Sequence, residues 1–169
     1  MTSPSDSPTT DEKARALKER IYASFTGLSI LAALTAAGHA TASSALISVA
    51  VGIIGISAAG FLAEVVAHQV AHKAFPNGRE LRTMGAIALG ALGSAAPPLI
   101  LLALAAFGVV ATDTALSISM GLYAATLVVI ILLAAARSGL RPLQQLISAA
   151  MLVGLAGLVV AVLLLAHLQ

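Results

Sequence analysis

Three side chains near the middle of the sequence have the types and spacing of a metal or proton site. Glu64, His68 and His72 follow one another at four-residue intervals, which places them on one face of a helix with about 40° of drift per step. Imidazole and carboxylate together suit iron, manganese or zinc. Because Glu64 and His72 would lie about 12 Å apart along the axis, one ion fits a neighbouring pair rather than all three. Another helix, a second subunit or water must complete its shell.

The same residues also have a plainer interpretation, in which both histidines lie at the lipid headgroup level and Glu64 pairs with His68 or a nearby lysine. A zinc hydrolase is disfavoured, because Gln69 stands where the H-E-x-x-H helix needs its general base. The sequence also lacks a phosphate-binding loop, a dinucleotide fingerprint and an aromatic-basic surface for nucleic acid. We therefore expect no enzyme and no nucleic-acid partner.

Composition indicates that lipid surrounds these residues. Of 169 residues, 59% are hydrophobic and 9% are charged, whereas a soluble domain carries about 25% charged residues. Five apolar runs are long enough to cross a bilayer as helices. They cover 21–38, 45–66, 84–110, 115–136 and 143–165. The predicted fold is all-α and polytopic, with a cytoplasmic segment at 1–20 and a transmembrane domain at 21–169.

The basic residues give this bundle an orientation. All nine lie before the first run, between the second and third, or between the fourth and fifth, and the alternate connections contain none. Basic residues stay on the cytoplasmic side, so we expect the N-terminus inside, the C-terminus outside, and a multi-pass protein of a bacterial plasma membrane.

Proline and glycine predict two local features. Pro97-Pro98 removes two backbone donors within the third run, which predicts a kink. The second helix should continue past the membrane to 72–74, where Pro76-Asn77-Gly78 stops it.

Several short motifs resemble the vacuolar iron transporter family. They are Tyr22-Ala23-Ser24-Phe25-Thr26-Gly27-Leu28, Ser57-Ala58-Ala59-Gly60, Leu89-Gly90-Ala91-Leu92 followed by Pro97-Pro98, and Arg137-Ser138-Gly139-Leu140-Arg141. The resemblance covers about 21–165. It implies a homodimer of five-helix subunits that transports a divalent metal such as iron or manganese.

Two departures weigh on that function. The family has Asp-Gly-Leu in its first helix, where this chain has Thr26-Gly27-Leu28, and Gly-Glu in its second, where this chain has Gly60-Phe61. The family's metal-capturing segment between the second and third helices is absent too. We expect a divalent metal transporter or a degenerate relative, with Glu64, His68 and His72 as ligands. The alternatives are a non-transporting membrane scaffold or accessory subunit and, third, an intramembrane hydrolase.

Overall fold

Every regular element in the described part of the chain is a helix. The computed structural model describes residues 9–38 and 40–137, together with Gln144, Leu146, Ile147, Ala150 and Gly154. The elements are α1 (Thr10–Ala36), α2 (Ala42–His72), α3 (Gly78–Ser94), α4 (Ala96–Ala106) and α5 (Thr112–Arg137). The all-α prediction is confirmed for these residues.

Three of the helices begin at a capping box, in which a side chain at the N-cap and one three residues later satisfy free backbone N–H groups. The N-cap residues are Thr9 for α1, Thr41 for α2 and Asn77 for α3. The second helix ends where Lys73 takes a left-handed conformation with φ 51°. With 31 residues, α2 is the longest helix described, and its predicted continuation to His72 is confirmed.

Among the described helices, α1 and α2 make the most extensive contacts with the others, and α2 contacts all four. The first helix packs against α2, α3 and α5, while α4 packs against α2 and α5. The contact of Arg15 with Glu64 and that of His68 with Glu80 place the start of α1, the end of α2 and the start of α3 together. We call this the basic end, because the basic residues that precede the first apolar run and those between the second and third runs lie there.

The predicted kink at Pro97-Pro98 is a complete break. The helix stops at Ser94, Ala95 is a turn, and α4 continues at an angle of 48° to α3. The prolines occupy the first turn of α4, where their missing N–H groups have no helical partner to lose. One hydroxyl, that of Ser119, donates a hydrogen bond across to the Pro98 carbonyl at 3.4 Å.

Two of the described helices are long and apolar enough to cross a membrane, α2 and the stretch Thr112–Ala134 of α5. The bent pair of α3 and α4 counts as a third if both halves form one span. The first helix fits the predicted run 21–38 in position, but its charged N-terminal part and its Ser, Thr and Gly residues keep it outside this group. The predicted fifth run, 143–165, lies almost wholly outside the described residues.

Candidate functional site

The carboxylate of Glu64 is held by two cations from α1. One oxygen lies 3.0 Å from the Arg15 guanidinium, and the other accepts a hydrogen bond from the Lys18 ammonium at 3.2 Å. The Glu64 side chain is 16% exposed, whereas those of Arg15 and Lys18 are about half exposed. Glu64 therefore points into the bundle, and its charge is balanced at the surface by α1.

A second carboxylate lies beside the first and is more deeply buried. Glu19 of α1 is 3% exposed. Its Oε1 atom lies 3.6 Å from the Lys18 ammonium and makes no hydrogen bond, because that distance allows charge attraction but exceeds a hydrogen bond. The other oxygen lies against Gly60, where an added Cβ would collide with it. The absence of a side chain at Gly60 is what makes room for the buried carboxylate.

The Lys18 ammonium lies within ion-pair distance of both carboxylates. Burial lowers the pKa of its ammonium, but the hydrogen bond to Glu64 and the charges of Glu64 and Glu19 outweigh burial, with a further contribution from Tyr22. The net result is a pKa raised above the usual 10.5. The ammonium is accordingly charged at neutral pH.

A small cavity separates these groups from α3. Its volume of about 10 Å³ is close to that of one water-sized sphere. Glu19 and Glu64 both line it, together with Arg15, Gly60 and Phe61, and Met84, Ile87 and Ala88 of α3 close the other side. The two carboxylates thus share one cavity whose wall, apart from them and Arg15, carries no charged group.

The two histidines face away from this cavity. His68 places its Nε2 atom 3.5 Å from the Glu80 carboxylate of α3, and its side chain is 12% exposed. His72 is exposed, stacks on His68 with ring centroids 4.3 Å apart, and places Nδ1 3.3 Å from the His68 carbonyl oxygen. The predicted shared face exists, but along it Glu64 is directed to α1 and His68 to α3.

The predicted ligands Glu64, His68 and His72 therefore do not converge on one point. Over the residues that the structure describes, no group of three or more His, Asp and Glu side chains is arranged to hold a metal ion. In the described part of the chain, Glu19 and Glu64 line one cavity and both contact the Lys18 ammonium.

Comparison with known proteins finds no matching protein family, no matching curated protein and no matching solved structure. The resemblance to vacuolar iron transporters therefore stays with the sequence motifs that carry it.

Sequence reasoning missed Glu19, because it was assigned to the charged segment that precedes the first apolar run. A signal was present: Glu19, Ala23 and Gly27 follow one another at four-residue spacing, which places Glu19 on the same face of α1 as small residues of the apolar run. An acidic residue in line with a buried face needs a partner or a cavity. Gly60 supplies the space and Lys18 the charge.

Proposed function

We propose that the protein is a multi-pass membrane protein that binds and transports a divalent metal ion, with Glu19 and Glu64 as the ligand pair at the basic end. The observation that carries this is the shared cavity, which the side chains of Glu19 and Glu64 both line, together with the Oε1 atom of Glu19, which has no hydrogen-bond partner. A buried polar atom without a partner calls for an explanation, and an ion or water is the usual one.

The position of Glu19 also bears on the family resemblance. The transporters have a glutamate directly after the helix-two glycine, and this chain has Phe61 there. Glu19 supplies a carboxylate from α1 against Gly60, and Phe61 and Glu19 line the same cavity. In the proposed site, Glu19 of α1 supplies the carboxylate that the resemblance would expect from α2.

Carboxylate oxygens favour manganese, magnesium or calcium over zinc, which prefers sites containing imidazole or thiolate. Arg15 and Lys18 act as internal cations that neutralise the pair when no metal is bound. An incoming divalent ion takes over this role and releases one or both side chains from Glu64. Water, and in a homodimer groups of a second subunit, complete the shell.

Binding of Mn(II) by purified protein tests this proposal. Glu64→Gln and Glu19→Gln keep the shapes of the side chains but remove the charges, and each should weaken Mn(II) at least tenfold, a change of about 1.4 kcal/mol. Arg15→Gln removes a competing cation and should strengthen binding. The matched control is Asp113→Asn, a similar change at the far end of the bundle, which should leave the affinity unchanged.

A second set of variants separates the ligand pair from the predicted histidine ligands. His68→Ala should leave Mn(II) affinity within about twofold, since the imidazole is directed to Glu80. If His68→Ala or His72→Ala abolishes binding instead, the site lies further along α2 as the sequence suggested. Liposomes that contain the protein should admit Mn(II), and acidification should slow entry because protons compete for the ligands.

The rival function is a non-transporting scaffold, and one observation favours it. Both oxygens of Glu64 already have cationic partners on α1. These ion pairs join α1 to α2 without a metal ion. In that case calorimetry gives no Mn(II) binding for the wild-type protein or for Arg15→Gln, and the charged cluster serves packing alone.

A further inference from the structure

Two arginines at the start of α3 have no anionic partner in the described part of the chain. Arg79 and Arg82 are exposed, and their guanidinium groups make no ion pair or hydrogen bond there. The carboxylate between them in the sequence is already engaged, because Glu80 accepts a hydrogen bond from the Asn77 backbone N–H and contacts His68. Both guanidinium groups are therefore available to an anion from outside the chain.

The face of α3 that carries these arginines becomes apolar toward the middle of the bundle. Ala86 and Leu89 continue the face, and both are exposed, with Leu89 at 66%. At 100° per residue, the positions 79, 82, 86 and 89 span about 80° of the helix circumference. This face thus presents two cations at its outer end and apolar side chains below them.

The contact of His68 with Glu80 gives the level of the arginines relative to α2. Because the end of α2 meets the start of α3, Arg82 and Val66 both lie about 3 Å nearer the middle of the bundle than this contact, and Val70 lies about 3 Å on its outer side. Val66 is 56% exposed and Val70 is 75% exposed. Apolar surface that lipid covers therefore reaches the level of the arginines, which places them where acyl chains give way to headgroups.

We propose that this face of α3 binds an anionic phospholipid, with the phosphate at Arg79 and Arg82 and an acyl chain along Ala86 and Leu89. Guanidinium groups form paired hydrogen bonds with phosphate oxygens. A soluble phosphate would match only the arginines, whereas a phospholipid also covers the apolar part of the face. Two cations without a counter-ion favour a headgroup of net negative charge over a zwitterionic one. The site rests on the membrane location proposed above and not on metal binding.

Quenching by lipids with brominated acyl chains tests the site, because bromine quenches tryptophan fluorescence only at close contact. The chain contains no tryptophan, so Leu89→Trp introduces a single reporter. The matched control is Val51→Trp, since Val51 is 64% exposed and lies in the half of α2 that is remote from the basic end. Each variant is reconstituted in phosphatidylcholine bilayers that contain a small fraction of brominated phosphatidylglycerol or of brominated phosphatidylcholine.

The reporter beside the arginines should distinguish the two brominated lipids. At Leu89→Trp, phosphatidylglycerol should bind at least about fivefold more tightly than phosphatidylcholine, because one basic residue near an anionic headgroup is worth about that factor. At Val51→Trp, both lipids should quench equally. Soluble glycerol phosphate, which has the headgroup chemistry without the acyl chains, should leave the preference at Leu89→Trp unchanged.

Two pairs of charge variants in the Leu89→Trp protein separate a site from general attraction. Arg79→Gln with Arg82→Gln should remove the preference for phosphatidylglycerol. Lys13→Gln with Arg20→Gln removes the same charge from exposed positions of α1 at the same end and should retain it. Loss of the preference in both pairs would show that only the overall charge matters, and the site would be wrong.

The remaining outcomes also decide the proposal. Equal quenching by the two lipids at Leu89→Trp overturns the site alone. Quenching by neither lipid there would show that protein, such as a second copy of the chain, covers this face. Loss of the preference on addition of glycerol phosphate would assign the arginines to a soluble phosphate. A chain that does not insert into bilayers overturns the membrane location together with the site.

Thermal unfolding in neutral detergent gives a second measurement that needs no tryptophan variant. Phosphatidylglycerol should raise the unfolding temperature of the wild-type protein more than phosphatidylcholine does, because a ligand that binds the folded state stabilises it. Arg79→Gln with Arg82→Gln should lose that difference, and Lys13→Gln with Arg20→Gln should keep it. An equal rise with both lipids in the wild-type protein contradicts the site.

Discussion

The two ends of the bundle are held together by different means. At the basic end, α1, α2 and α3 are joined by charged groups: Glu64 with Arg15 and Lys18, and His68 with Glu80. At the opposite end, α2, α4 and α5 meet through the buried alanines Ala42, Ala105 and Ala115. One end therefore depends on electrostatics and titratable groups, and the other on the close approach of small side chains.

This difference suggests that the alanine end contributes mainly to stability and the basic end mainly to function. Small residues let backbones approach closely, which is how helices associate where lipid gives no hydrophobic incentive. Ionisable groups within membrane-spanning helices are costly and often mark functional positions. We therefore expect substitutions at the alanine end to affect stability most, and substitutions at the basic end to affect ligand binding with smaller structural effects.

The largest stability effect should come from enlarging a residue at the alanine end. Ala115→Leu adds three carbons at a position that is 0% exposed, and overpacking of this kind costs about 1–3 kcal/mol. The control, Ala124→Leu, lies on the exposed side of the same helix and should change stability little. Unfolding in detergent measures both; equal losses would show that α5 is not packed through the alanine cluster.

Alanine at two glycines of α2 should give effects of opposite sign. Gly60→Ala forces the Glu19 carboxylate out of its place, and we expect a loss of about 1 kcal/mol. Gly55 has open space around it, so Gly55→Ala should gain up to about 1 kcal/mol from helix propensity. Both variants gain the same helix propensity, so the difference between their stability changes reports the clash with Glu19 alone. No difference would mean that Glu19 does not occupy the space beside Gly60.

Removal of one charge at each end should have a smaller effect. Glu64→Gln leaves Arg15 and Lys18 without their carboxylate, and because both cations are about half exposed, the loss should be about 0.5–1 kcal/mol. Asp113→Asn, on the exposed start of α5, should have no measurable effect on stability. High salt should reduce the Glu64→Gln loss; a loss unaffected by salt would argue against an electrostatic connection.

The smallest effect concerns alkaline pH. The pKa of Lys18 is raised above 10.5 in the folded protein, so its contribution to stability is complete below that value and is lost as pH rises through the folded pKa. Wild-type protein and Lys18→Met should converge in unfolding midpoint above that pH. A constant difference between them would show that Lys18 contributes through its alkyl chain instead.

Regular patterns in the sequence predicted the elements well. The apolar runs located α1, α2, the α3–α4 pair and α5, and Pro76-Asn77-Gly78 predicted the end of α2. The double proline predicted a kink. Its extent was not predictable, because whether a helix bends or breaks depends on how neighbouring helices pack around the prolines, and here Ser119 of α5 donates a hydrogen bond to the Pro98 carbonyl.

The site was predicted only in part, for a geometric reason. Spacing showed that Glu64, His68 and His72 share a face of α2, but a face about 12 Å long borders more than one neighbour. In the folded chain, Glu64 contacts α1 and His68 contacts α3. Glu19 could not be assigned from spacing alone, because its burial depends on the absence of a side chain at Gly60, forty-one residues away in the sequence.

The bend at Ala95 also bears on the thickness of the bilayer that the bundle fits. The apolar part of the α3–α4 pair, 84–106, would measure about 35 Å as one straight helix, against a hydrocarbon core of about 30 Å. A 48° bend shortens the distance between their outer ends along the membrane normal, which is one way that an overlong span relieves mismatch. If both halves form one span, the angle between α3 and α4 sets the bilayer thickness that it matches.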